Sequence, residues 1–90
     1  MAINYRIVER IVKGFANHNR LKILELLQAE PELSVIDVAD KLGIGYMNVS
    51  DHIRKMSIAG LLMKRSNGPF VLHKLTPRAE GILAFCKKLK

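Results

Sequence analysis

Apolar residues near the start of the chain return at helical spacing. Ile3, Ile7, Val8, Ile11, Val12 and Phe15 fall within one half of a helical wheel, and Arg6, Glu9, Arg10 and Lys13 occupy the other. This pattern predicts an amphipathic helix over 3–15 with a wide apolar face. Asn17 then offers a side-chain cap for a second helix over 18–28. Leu21, Leu24, Leu27 and Ile23 are its inward positions, and Glu30-Pro31-Glu32 ends it. Ser34 followed by Asp37 has the form of a capping box, with Asp in place of the preferred Glu, before a short helix over 35–42.

Gly43-Ile44-Gly45 stops that helix, because glycine accepts the left-handed conformation of a tight exit. A fourth helix over 46–58 follows at once. Its spacing buries Val49, Ile53 and Met56 and turns Met47, Asn48, Ser50, Asp51, Arg54 and Lys55 outward. Two β-prone runs, 61–65 and 70–75, flank Ser66-Asn67-Gly68-Pro69, and Asn-Gly between apolar runs signals a hairpin. Thr76-Pro77 opens a last helix with a hydroxyl cap and proline in the first turn. Ala79, Ile82, Leu83, Phe85, Cys86 and Leu89 form its broad apolar face.

The order helix, helix, short helix, glycine turn, helix, hairpin, helix defines a mainly α fold with a small β-hairpin wing, a winged helix-turn-helix. Residues 35–58 are its two-helix motif. Ninety residues fill one core, so residues 1–90 are read as a single winged helix-turn-helix DNA-binding domain. Both terminal helices carry apolar faces wider than the stripe of about 100° that covers one core. The surplus is expected to meet a second copy of the chain, making these helices dimer arms through Ile3, Ile7, Ile11, Ile82, Phe85 and Leu89. The competing possibility is that so short a chain needs all of that surface for its own core.

Charge sharpens this picture. Fifteen Lys and Arg against eight Asp and Glu give a formal charge of +7, which favours polyanions as partners, although it would also serve solubility alone. A helix about 12 Å across fits the major groove of double-stranded DNA. The expected DNA contacts are therefore Met47, Asn48, Ser50, Asp51, Arg54 and Lys55 on the fourth helix, with Lys64, Arg65, Asn67 and Lys74 on the wing. Arg54 is long, cationic and central on the outward face. Asp51 either accepts from a cytosine amino group or pairs with Arg54 or Lys55.

His52 lies at the edge of the buried face and is expected to bond backbone, His18 to start a helix and His73 to sit in a wing strand. Lys87-Lys88-Leu89-Lys90 reads as a solvated helix end suited to the helix dipole. Cys86 is the single cysteine, expected as a packing residue in a reducing cytoplasm. The N-terminal Met1-Ala2-Ile3-Asn4-Tyr5-Arg6 lacks a signal-peptide core, and no apolar run reaches membrane-spanning length. The Asn48-Val49-Ser50 sequon is read as accidental. Three dispersed histidines assemble neither a catalytic triad nor a metal site, so an enzyme is not expected and no cofactor is called for.

Three stretches resemble the ArsR/SmtB-type winged-helix repressors. Phe15-Ala16-Asn17-His18-Asn19-Arg20-Leu21-Lys22-Ile23-Leu24 is similar to that family's "LADPTRLRIL". Val49 to Met56 followed by Ala59-Gly60-Leu61-Leu62 is similar to "VSRHLKVL…AGLV", and Ser66 to Pro77 to the wing pattern "REGRWVYYRLTP". The resemblance implies a homodimer joined by its first and last helices that binds a near-palindromic operator and blocks transcription. The departures matter equally. Where metal-sensing members carry "ELCVCDL", this chain has Glu32-Leu33-Ser34-Val35-Ile36-Asp37-Val38, and its last helix contains neither Asp nor His. Metal sensing by either route is therefore not expected. Asp51 stands where the family often has arginine. The main competing function is a winged-helix assembly module with incidental basic charge, and a weaker one is binding of structured RNA.

Overall fold

The structure is a computed structural model that describes residues 2–89. Five helices and one hairpin follow the expected order: α1 (Tyr5–Phe15), α2 (His18–Ala29), α3 (Val35–Leu42), α4 (Tyr46–Ile58), β1 (Leu62–Asn67), β2 (Phe70–Leu75) and α5 (Pro77–Leu89). The first helix begins two residues later than its apolar period suggests. The Asn4 side chain accepts from the Ile7 N–H at 3.2 Å and caps it, so Ile3 lies outside the helix. Asn17 caps α2 as expected, accepting from the Asn19 and Arg20 N–H groups. On α2 it is Ile23, Leu24 and Leu27 that are fully buried, while Leu21 is only half-buried against the core.

The capping box of α3 is complete: Ser34 Oγ accepts from the Asp37 N–H at 3.2 Å, and the Asp37 carboxylate accepts from the Ser34 N–H at 3.3 Å. Gly43 takes the left-handed conformation (φ 66°) that lets α4 start three residues later. Val49, Ile53 and Met56 of α4 join Ile23, Leu24, Leu27, Val38, Leu61, Leu75, Ala79 and Leu83 in one core. α1 packs on α2 and α4, whereas α5 packs on α2 and β2.

The hairpin is shifted from its expected limits. Leu61 belongs to the exit of α4, its N–H donating to Met56 O (2.9 Å) and its carbonyl accepting from Thr76 N–H (3.1 Å). Ser66 and Asn67 stay paired with Val71 and Phe70, leaving Gly68-Pro69 as a two-residue turn. Gly68 supplies the positive φ (61°) and proline the fixed negative one, the pattern of a II′ turn. Thr76 Oγ1 accepts from the Ala79 N–H and donates to Gly60 O at 2.7 Å, tying the cap of α5 to the end of α4. No helix among the described residues is long and apolar enough to cross a membrane.

Candidate nucleic-acid interface

The exposed side of α4 is built by its own burial. With Val49, Ile53 and Met56 fixed in the core, helical spacing leaves Met47, Asn48, Arg54 and Lys55 exposed and Ser50 and Asp51 half-buried. Met47 is 77% exposed at the entry of the helix. Asp51 organises the cations around it: its carboxylate accepts from Arg54 Nη2 at 2.7 Å and pairs with Lys55 Nζ at 3.0 Å. Those two hydrogen bonds, Arg54 first, hold the Asp51 carboxyl below its usual range.

Behind this face, His52 Nδ1 accepts from Arg20 Nε–H at 3.0 Å, and Arg20 Nη1 donates to Lys13 O at 3.1 Å. The partner of His52 is therefore a guanidinium and not backbone as the sequence suggested, because α2 delivers Arg20 to the half-buried edge of α4. Burial, and then the Arg20 charge, push the His52 pKa down, so the ring is neutral and free to accept. Arg20 fixes the recognition helix from the side remote from the wing, a role that its position one turn into α2 gave no reason to expect.

The hairpin pleat separates the wing residues. Lys64 shares a face with His73 and Leu75 and looks onto α4, where it lines a hollow with Ser50, Ile53, Arg54 and Ser57. Arg65, Asn67 and Lys74 lie on the opposite face. There Arg65 donates from Nε and Nη2 to the Glu32 carboxylate, both at 2.8 Å, and this pair holds Glu32 below its usual range. Leu33 and His73 exchange two backbone hydrogen bonds, and His73 Nδ1 lies 3.1 Å from Leu33 O. The α2–α3 loop thus fastens the base of the wing. Burial pushes the pKa of His73 down, since only 4% of that residue is exposed.

The expected contact set is therefore brought together in part. Helical spacing puts Met47, Asn48, Ser50, Asp51, Arg54 and Lys55 on the outward side of α4 with Lys64 beside Ser50 and Arg54, whereas Arg65 is tied to Glu32 and shares the other face of the hairpin with Asn67 and Lys74. Tyr46 and Phe70, both exposed and apolar, meet across a second hollow with Ile36, Pro69 and Val71. Neither residue was among the expected contacts, although Phe70 directly follows the turn.

Ile3 just before α1, Ile7, Val8 and Val12 on α1, and Phe85 (60%) and Leu89 (64%) on α5 are exposed. Ile11 and Ile82 are instead half-buried against the chain's own core. Lys87 Nζ donates to Gln28 Oε1 at 2.7 Å, and Lys90 of the basic end lies outside the described residues. Cys86 is half-buried. Among the described residues, no three His, Cys, Asp or Glu side chains gather as a metal-binding group.

A helix-turn-helix with an exposed, cation-bearing second helix and a wing folded beside it defines the class of the molecule. Residues 17–62, from the cap of α2 into β1, match the winged helix-turn-helix DNA-binding family, and the chain belongs to that family. The family is defined by DNA binding and not by catalysis. The chain is 30% identical over 67 residues to the arsenic resistance transcriptional regulator ArsR1 of Pseudomonas putida, covering 74% of this chain and 52% of that protein. It spans about half the length of the curated relatives it matches. Among solved structures, the homodimeric winged helix-turn-helix DNA-binding domain of Mb0332 from Mycobacterium bovis, a possible ArsR-family regulator, superposes with a TM-score of 0.85 at 26% identity, covering 94% of this chain and 79% of that one. The transcriptional repressor PagR of Bacillus anthracis gives 0.80 at 25% identity, with 91% and 94% covered. The resemblance to ArsR-type regulators seen in three sequence stretches thus extends over the fold.

Proposed function

We propose that residues 1–90 act as one cytoplasmic domain, a sequence-specific double-stranded DNA-binding transcriptional regulator working as a homodimeric repressor without metal sensing. The observation that carries this reading is the exposed face of α4, where Arg54, Lys55, Asn48 and Met47 stand clear of the core and Arg54 lies across a hollow from Lys64 of the wing. Cations at the edges of that face suit phosphates, and Arg54 suits guanine in the major groove. The homodimeric state of Mb0332 and the repressor role of PagR are properties of those proteins; exposed apolar residues on α1 and α5 support the dimer here.

Two observations support a regulator that does not sense transition metals. Where the related metal sensors carry their cysteine pair, this chain uses Ser34 Oγ to cap α3 and leaves Ile36 as an exposed apolar side chain. Neither is a metal-type donor. Selection of bound duplexes from a random pool tests the whole reading: an enriched near-palindrome is expected, and no enrichment would overturn it. Binding should also weaken by orders of magnitude from low to moderate salt, whereas affinity that persists at high salt would favour an assembly module.

A further inference from the structure

The DNA-facing reading uses Lys55 but gives no part to three cations beside it, Arg10, Lys13 and Arg20. Arg10 and Lys13 of α1, Arg20 of α2 and Lys55 of α4 surround a cleft of about 210 Å³ whose remaining wall is Gly14, Ile58 and Ala59. The small residues let α1 and α4 approach closely at its floor: Gly14 is buried, and a Cβ there would stand 2.5 Å from Ala59 Cβ. Helical geometry puts Arg10 and Gly14 on the side of α1 opposite Val8 and Val12 but on the same side as Ile7, so the cleft lies apart from Val8 and Val12 and borders Ile7 of the face proposed to meet a second copy.

Charge is poorly balanced there. Among the described ion pairs none involves Arg10, Lys13 meets only the exposed Glu9, and Lys55 meets only Asp51. Four cations around one hollow repel each other, and an anion placed among them removes that repulsion. The apolar wall asks for more than a bare anion. A cavity of about 150 Å³ accepts a benzene ring, so the volume here suits one ring with a charged substituent.

We propose that this cleft binds a small organic anion, a carboxylate or phosphate monoester on an apolar body about one ring in size, and that its occupancy weakens DNA binding. The regulatory half rests on the function proposed above. Two of the four cations also hold side chains of the recognition helix: Arg20 through His52, and Lys55 through Asp51. An anion that draws Lys55 away leaves the Asp51 carboxylate less neutralised on the face that meets phosphates. By linkage, DNA then weakens the anion by the same factor.

Amide shift titration of the full chain with benzoate tests the site without DNA. Acetate serves as a control for charge alone, and benzyl alcohol for the ring alone. Benzoate should give saturable shifts at Gly14, Arg20, Lys55 and Ala59, and the Arg10→Ala/Lys13→Ala variant should bind at least about tenfold more weakly. Absence of saturable shifts, an equal response to acetate, or unchanged affinity in the variant would each overturn the site. In a second arm, duplex binding is followed at constant ionic strength. Benzoate should weaken it for the native chain and not for the variant, and occupancy without any effect on DNA overturns the regulatory half. A native chain that binds no duplex at all overturns the proposed function instead, while the shift titration still judges the cleft.

Discussion

At the scale of residues, Asp51 sets the character of the proposed interface. Its carboxylate neutralises Arg54 and Lys55 on the surface offered to phosphates. If ion pairing is its role, Asp51→Asn should tighten duplex binding a few-fold at low salt, and a loss of affinity confined to one base position would mean that it reads a cytosine amino group. Arg54→Ala should cost about 1–3 kcal/mol of binding free energy in a direct titration, and no change would remove α4 from the interface. Histidine makes a separate prediction about stability. His52 and His73 both titrate below the ordinary imidazole value of about 6.5, chiefly through burial. As pH falls, the unfolded chain takes up these protons before the folded one, so the stability is present above about pH 6.5 and is lost below it. The melting temperature should therefore drop between about pH 7.5 and 5.5, above the carboxylate range. His52→Gln, which keeps an acceptor for Arg20, should flatten that dependence, and an unchanged slope would rule His52 out as a contributor. The spacing of apolar residues told which side of α4 faces out. It could not tell that Arg20 would reach His52 or that Glu32 would take Arg65, because those partners lie 32 and 33 residues apart and meet only through tertiary packing.

At the scale of elements, the sequence was most legible where a local hydrogen bond decides the structure. Ser34 with Asp37, Asn17, Gly43 and Thr76 each mark a helix end by chemistry within three residues, and the limits of α3 and α4 follow from them. Legibility failed where two local signals competed. Asn4 outweighed the apolar period that includes Ile3, and Gly68-Pro69 claimed the turn that Asn67-Gly68 had advertised. Ser34→Ala should lower stability by about 1 kcal/mol in denaturant unfolding, through the lost cap. Gly14→Ala should cost more, about 1–3 kcal/mol, because its methyl group needs space that Ala59 already fills. A neutral Gly14→Ala would show that α1 can lift from α4 without penalty. The wing is held by more than its two strands: the backbone exchange between Leu33 and His73 and the Glu32–Arg65 pair anchor it to the loop before α3. That loop therefore fixes the spacing between wing and recognition helix, which must match the distance from groove to backbone in any duplex.

For the whole molecule, the question is what the apolar surface of the terminal helices is for. Ile11 and Ile82, expected at the interface, both pack against the chain's own core, so part of the wide apolar face is consumed within one copy. The remainder is still substantial: Ile7, Val8 and Val12 on α1, and Phe85 and Leu89 on α5, stay exposed. Exposed apolar residues in this number on a small domain fit the proposed pairing of two copies. Because the exposed apolar residues of α1 and α5 lie off the outward face of α4, a two-fold pairing through them should leave both α4 helices free to enter one duplex. Val12→Glu with Phe85→Glu should then convert the chain to a monomer in sedimentation equilibrium without unfolding it, since neither side chain belongs to the core. The same variant should lose affinity for a two-half-site duplex while keeping weak, salt-dependent binding to a single half-site, because each α4 face is intact and only the coupling between copies has gone. If the variant sediments as the native chain does, or binds both duplexes as tightly, the terminal helices are not the arms of a dimer.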